Sequence, residues 1–202
     1  CRSFGYRMLL AVAVLAAAGA AAAAPPAVAD PDARAARVEA QMTDDERHGL
    51  LSGIMALPFP GSDLTLPDGV PVTAGYWPGV PRLGVPPLLA TDASLGVVNP
   101  LQMRAGDGAT ALPAGLALAS TFDPVLAERA GAMIGREARA KGFNVLLGGG
   151  INLAYDPRNG RNFEYLGEDP LLAGTLAGAA IRGTQSQGVV STIKHFALNA
   201  QE

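Results

Sequence analysis

Cysteine occurs once, at Cys1, so neither an intrachain disulfide nor a cysteine-rich metal site can be built. Histidine occurs only at His48 and His195, and nothing in the chain supports a nucleophilic triad. Charge is sparse too: 15 Lys and Arg against 18 Asp and Glu give a formal net charge of -3. That balance leaves no electrostatic footprint for a polyanion, and nucleic acid is not an expected partner. The glycine run Gly148 to Gly150 lacks the GxxxxGK and GxGxxG spacings of phosphate and dinucleotide loops. A strand exit is its leading reading, and no cofactor or metal is expected.

What is abundant is apolar. With 49% hydrophobic residues in 202, the chain is long enough for one domain with a sizeable core, or for part of a larger one. The first 29 residues stand apart. Arg2 and Arg7 precede "MLLAVAVLAAAGAAAAA", followed by Pro25, Pro26 and "AVAD". A basic start, an apolar middle and a small-x-small site ending at Ala29 are the layout of a secretory signal. A membrane anchor is the alternative, but the run falls short of the ~20 residues a spanning helix needs, so no stable span is expected. The reading is a signal over 1–29, a secreted or periplasmic product, and a domain over 30–202. Cys1 in place of an initiator Met suggests a frame opened upstream or cut, with Met8 or a lost residue as the true start.

From Asp30 two helices are predicted, "DPDARAARVEAQ" and "MTDDERHGLLSGIM", the second with Thr43 and Glu46 as a capping box. Leu57 to Pro87 is dense in Gly and Pro and reads as a long ordered loop. The pattern then changes to apolar runs alternating with helices. "VPPLLATDAS", "ATALPAGLALAST", "FNVLLGGG" and "GVVSTIK" read as four strands. Asp123-Pro124 and Asp169-Pro170 supply N-caps and N1 prolines for helices, and Gly142 closes the first of them. Apolar strands between amphipathic helices argue for an α/β fold with a parallel sheet covered by helices. A doubly wound sheet and a (β/α)8 barrel both fit. Polar residues gather after successive strands, which favours the N-terminal part of a TIM-type barrel, truncated after about the fourth strand.

Asp92, Arg158, Arg161, Glu164, Lys194 and His195 are the strand-end residues. A mixed set of carboxylates and cationic donors suits a ligand dense in hydroxyls, because each hydroxyl both donates and accepts. For Glu164, Glu168 and the arginines a structural salt-bridge web is the competing reading. For the adjacent Lys194 and His195 it is weaker, since neighbours on a strand point opposite ways and only a strand end brings both to a cleft. His48 reads as a solvent-facing helix residue.

"LLATDASLGV", "ATALPAGLALASTFDP", "NLAYDPRNGRNFEYLGEDP" and above all "KHFALNAQE" resemble the N-terminal domain of glycoside hydrolase family 3, in its β-glucosidase-like branch. The resemblance runs from about Met42 to Glu202. It implies a retaining exo-hydrolase that removes a terminal β-linked sugar, with an oligosaccharide or β-glucoside as substrate. It also implies that Asp92, Arg161, Lys194 and His195 hold the glycone.

Two departures qualify it. The family motif "TDGPxGVR" is here "TDASLGVV", with Ala93-Ser94 for Gly-Pro and Val98 for the arginine; Arg104 is the candidate to replace that charge. The family's nucleophilic aspartate, in an S/T-D-W-type motif, and its acid/base glutamate have no match up to residue 202, so the catalytic residues are unknown. The chain alone is therefore expected to lack turnover and to need the missing C-terminal portion of its own chain for a lasting fold. The β-N-acetylglucosaminidase branch is disfavoured, because its Lys-His-Phe motif continues into a Pro-Gly-His-Gly-Asp loop and this chain reads "ALNAQE". A non-catalytic sugar-binding or scaffold protein is the alternative of a different class, and a phosphate-binding barrel enzyme a third.

Overall fold

A computed structural model describes residues 30–61 and 63–201. The predicted leader, 1–29, lies outside the described residues. Two short helices come first, α1 (Pro31–Glu39) and α2 (Asp44–Leu51). The capping box of α2 is formed in both directions: Glu46 N–H donates to Thr43 Oγ1 at 3.3 Å and Thr43 N–H to Glu46 Oε2 at 2.9 Å. Helix α2 ends earlier than predicted, at Leu51, and the chain enters strand β1 (Ile54–Ala56).

The Gly- and Pro-rich stretch to residue 87 is not all loop. It contains β2 (Thr73–Trp77), paired with β1 on one side and with β3 (Leu88–Asp92) on the other. Dense Gly and Pro around "TAGYW" hid this strand. One reason for the glycines is visible: the Trp77 indole lies 2.4 Å from where a Cβ on Gly53 would stand and 2.8 Å from one on Gly75. A second expectation is also overturned. "ATALPAGLALAST" contains no strand; its centre is a one-turn helix, α3 (Gly115–Ala119). An apolar run this short carries no usable period, and Leu and Ala are strong helix formers.

The remaining elements follow the predicted caps. Asp123 Oδ1 accepts from the backbone N–H of Val125 and Leu126 to open α4 (Pro124–Ala140). Asp169 does the same at Leu171 and Leu172 to open α5 (Pro170–Gln185). Gly142, at φ +88°, turns the chain out of α4 as predicted. Strands β4 (Val145–Leu147) and β5 (Val190–Ser191) complete a five-stranded sheet in the order β1-β2-β3-β4-β5. Pairing is antiparallel from β1 to β3 and parallel from β3 to β5. The sheet is thus mixed and open rather than wholly parallel.

Helices α4 and α5 are crossover elements packed against each other through small residues. A Cβ on Gly131 would stand 2.1 Å from the Ala180 carbonyl oxygen, and one on Gly183 2.0 Å from that of Glu128. Bare backbone at these two positions lets the helix axes approach, and the Thr184 hydroxyl donates across the gap to Gly131 O at 3.2 Å. Ile134, Ala138, Phe143, Leu146 and Val189 then form a buried cluster with Ala93 and Val97 from the segment after β3. That packing fixes the C-terminal ends of β3, β4 and β5 side by side.

Candidate functional site

Polar side chains converge at that edge. Asp92 is the last residue of β3. Lys194 lies beyond β5, where its N–H donates to Gly149 O at 3.2 Å and its carbonyl accepts from Ile151 N–H at 3.0 Å, extending the β4 to β5 pairing. The glycine run is therefore a strand exit, and its bareness has a cause. A Cβ on Gly149 would meet Thr192 O at 3.0 Å, and one on Gly150 would meet Glu164 O at 3.1 Å and Tyr165 Cδ1 at 3.2 Å.

Glu164 is the hub. It ends a single 3₁₀ turn, Asn162–Glu164, in the long segment after β4. Its side chain is only 4% exposed, yet three elements supply it with donors. Arg161 donates from its own turn, Nε to Oε1 at 2.5 Å, and Ser94 from the segment after β3, Oγ to Oε2 at 2.9 Å. Lys194 Nζ lies 3.9 Å from Oε2 and 3.4 Å from Asp92 Oδ1. Burial by itself would push the Glu164 carboxyl up. The hydrogen bonds from Arg161 and Ser94, with the charges of Lys194 and Arg161, outweigh it and hold the group below the ordinary carboxylate range.

His195 is held from the same side. Its ring meets Tyr165 edge-on, with Nδ1 3.5 Å from the Tyr165 hydroxyl, which also accepts from Asn199 Nδ2 at 3.2 Å. The Asn152 side chain bonds both backbone groups of His195. Lys194 and His195 thus rest on the consecutive residues Glu164 and Tyr165, and the strand end does bring both to one place.

Of the residues singled out by sequence, Asp92, Arg161, Glu164 and Lys194 form one cluster and His195 adjoins it. Arg158 does not join: it is exposed and paired with Asp156 at 2.8 Å. Glu168 is exposed elsewhere, and His48 is exposed on α2 as expected. Arg104 is spent in the loop after β3. Its guanidinium donates to Asp107 Oδ2 at 2.6 Å and Val98 O at 2.7 Å, and lies 4.9 Å over the Phe143 ring. It supplies no charge to the Asp92 cluster, so Val98 is not compensated there. Ser94, Asn152 and Tyr165 were missed as contributors, because only the tertiary contacts across 30 to 70 residues connect them to the cluster.

The cluster balances two carboxylates against two cations. Asp92, with its side chain 48% exposed, is the carboxylate open to a ligand, and Lys194 beside it at 19% is a partly open donor. Glu164 is buried, satisfied and held ionised, so it is poorly suited to protonate a leaving group. A cavity of about 320 Å³ lies beyond Glu164, between the sheet and helices α4 and α5. Leu118, Ile134, Leu146 and Leu176 make it apolar, and Asp92, Arg161, Lys194 and His195 do not line it. Among the described residues, no three His, Cys, Asp or Glu side chains group as a metal site.

The model of the glycosyl hydrolase family 3 N-terminal domain matches residues 79–201, a segment that holds the entire cluster. The chain belongs to this family. Among its relatives, β-glucosidase BoGH3A of Bacteroides ovatus is 46% identical over 132 residues, covering 62% of this chain and 18% of that protein. Thermostable β-glucosidase B of Acetivibrio thermocellus is 36% identical over 174 residues, covering 82% and 20%. β-Glucosidase 3B of Thermotoga neapolitana, solved in complex with glucose, superposes with a TM-score of 0.74 at 36% identity, covering 84% of this chain and 24% of that one. DesR, a β-glucosidase of Streptomyces venezuelae solved with D-glucose, gives 0.71 at 43%, covering 84% and 20%. The chain therefore spans about a fifth of the length of these family 3 proteins.

Proposed function

We propose that this chain supplies the glycone-gripping segment of a retaining β-glucosidase that cleaves terminal β-linked glucose from oligosaccharides or β-glucosides. The observation that carries the reading is the contact of Lys194 with both Asp92 and Glu164, which assembles an accessible acceptor and an oriented donor from strand ends 102 residues apart. Asp92, Arg161, Lys194 and His195 are the residues assigned to the sugar. Such contacts gain strength as the sugar ring flattens toward an oxocarbenium-like transition state, which is where binding accelerates the reaction.

Gripping is not cleaving. A retaining mechanism needs two carboxyls about 5 Å apart flanking the scissile bond, one of them able to give up a proton. Glu164 is held ionised, which unfits it as the acid/base, and its buried oxygens are both engaged, by Arg161 and Ser94, which unfits it as the nucleophile, so both roles are assigned to polypeptide outside these 202 residues. The open sheet supports this: β5 is an edge strand, with Val190 55% exposed and Ile193, just beyond it, 47%, as expected of a barrel that continues. By the same argument residues 30–202 alone are inactive. The test is hydrolysis of an aryl β-glucoside by the full-length protein, with NMR detection of the first-formed anomer. Release of β-glucose supports a retaining β-glucosidase; binding without turnover would instead favour a sugar-binding scaffold.

Export belongs to the same proposal. The sequence over 1–29 has the plan of a cleaved secretory leader, with Ala27 and Ala29 before the junction at Asp30. Amino-terminal sequencing of the exported protein should start at or near Asp30, and material starting at or before Met8 would contradict it.

A further inference from the structure

Ser94 occupies the place where the motif "TDGPxGVR" carries proline, a residue with neither a hydroxyl nor a backbone N–H to give. Here its hydroxyl donates to Glu164 Oε2 at 2.9 Å across 70 residues of sequence. Arg161 already takes Oε1. The ammonium of Lys194 stands 3.9 Å from the oxygen Ser94 has taken and 3.4 Å from Asp92 Oδ1. Without the hydroxyl, the buried carboxylate would offer its unfilled oxygen to the nearest cation, and attraction in that drier place is stronger than at the half-exposed Asp92.

We propose that Ser94 is a positioning residue: by filling Glu164 Oε2 it keeps Lys194 poised between Glu164 and Asp92, so that Lys194 and Asp92 act as an oriented donor and acceptor for adjacent sugar hydroxyls. This rests on the glycone reading of the cluster. Removing the hydroxyl lets Lys194 swing onto Glu164, and Asp92 then loses the ammonium that orients it. The serine thus does locally, through a side chain, what the Gly-Pro members of the family must achieve otherwise.

The test uses the full-length protein and its Ser94→Ala and Ser94→Thr variants, alone and combined with Lys194→Met, with glucose as the probe ligand and an aryl β-glucoside as substrate. Loss of one hydrogen bond to a charged group predicts about ten-fold weaker glucose binding for Ser94→Ala and a fall of about ten-fold or more in kcat/KM, shared between KM and kcat because the glycone contacts strengthen in the transition state. Ser94→Thr, which keeps the hydroxyl, restores both. In the Lys194→Met background the alanine substitution adds less than two-fold, because the group it releases is gone. A thermal melt within a few degrees of wild type separates positioning from loss of fold. Unaltered glucose affinity in Ser94→Ala, or a full ten-fold effect in the Lys194→Met background, overturns the role of Ser94 while the glycone reading stands. Absence of glucose binding by the wild-type protein overturns both.

Discussion

Asn152 grips His195 by both of its backbone polar groups: its Oδ1 accepts from the His195 N–H at 2.6 Å, and its Nδ2 donates to the His195 carbonyl at 3.0 Å. A primary amide here stands in for one more peptide unit of the β4 to β5 ladder. The backbone bonds of that ladder run from Val190 through Thr192 to Lys194 and Ile151, and the side chain of the next residue carries the pairing on where the two chains diverge.

Replacing Asn152 with Ala should therefore misplace His195 while leaving the rest of the sheet intact. Two half-buried hydrogen bonds predict a loss of about 1–3 kcal/mol, seen as a fall of about 5- to 150-fold in kcat/KM of the full-length enzyme. Asn152→Asp keeps the acceptor but turns a carboxylate oxygen toward the His195 carbonyl, and should be no better. Activity within two-fold of wild type in both variants would show that the clamp is dispensable.

Acid should destabilise the fold in part through the cluster. Glu164 is held below the ordinary carboxylate range when folded, and so is Asp107, where the hydrogen bonds from Lys141 and Arg104 outweigh burial. Unfolded carboxyls regain their ordinary value, about 4.3 for Glu. Their stabilisation is thus complete above that value and is lost as pH falls through it toward the lower folded one, because the unfolded state binds the proton first. Melting temperatures from pH 7 down to pH 3 should fall, and fall less steeply in Glu164→Gln, which has already lost the titrating group. An equal slope in that variant would contradict the account.

The helix pair α4 and α5 makes a sharp packing prediction. Gly131→Ala and Gly183→Ala each drive a methyl against backbone, at 2.1 Å and 2.0 Å from a carbonyl oxygen. Overpacking against an element that cannot rotate away should cost about 2–3 kcal/mol, in the upper part of the range for core insertions. The control is Gly174→Ala on the exposed face of α5, where nothing lies within 4 Å and the gain in helix propensity should leave stability equal or higher. Denaturant midpoints compare the three.

How much of this was legible in the sequence depended on whether the signal was local. Caps are local, and Thr43, Asp123 and Asp169 all cap the helices their spacing predicted. Strand ends are local too, so Asp92 and Lys194 could be placed at them. Glu164 entered the candidate set without being recognised as its centre, since its role comes from donors on three separate segments. The strand β2 was lost in its Gly and Pro surroundings because two of its five positions, Thr73 and Gly75, are buried by partners and not by any apolar pattern of their own. The run before α4 reads as a strand from sequence, because apolar length without a period does not separate strand from helix. Arg104 looked available for the cluster from its place in the chain. Only the contacts to Asp107, Val98 and Phe143 reveal that it is engaged elsewhere.

The central claim is that Asp92, Arg161, Lys194 and His195, assembled around Glu164, hold the glycone, and its most direct test is calorimetric titration of the full-length protein with glucose, comparing wild type with Asp92→Asn. Asparagine is close in size but takes away the charge paired with Lys194 and half of the acceptor capacity, so the account predicts at least about ten-fold weaker binding, the low end for losing a charge-assisted contact. Glucose affinity unchanged in Asp92→Asn would contradict it.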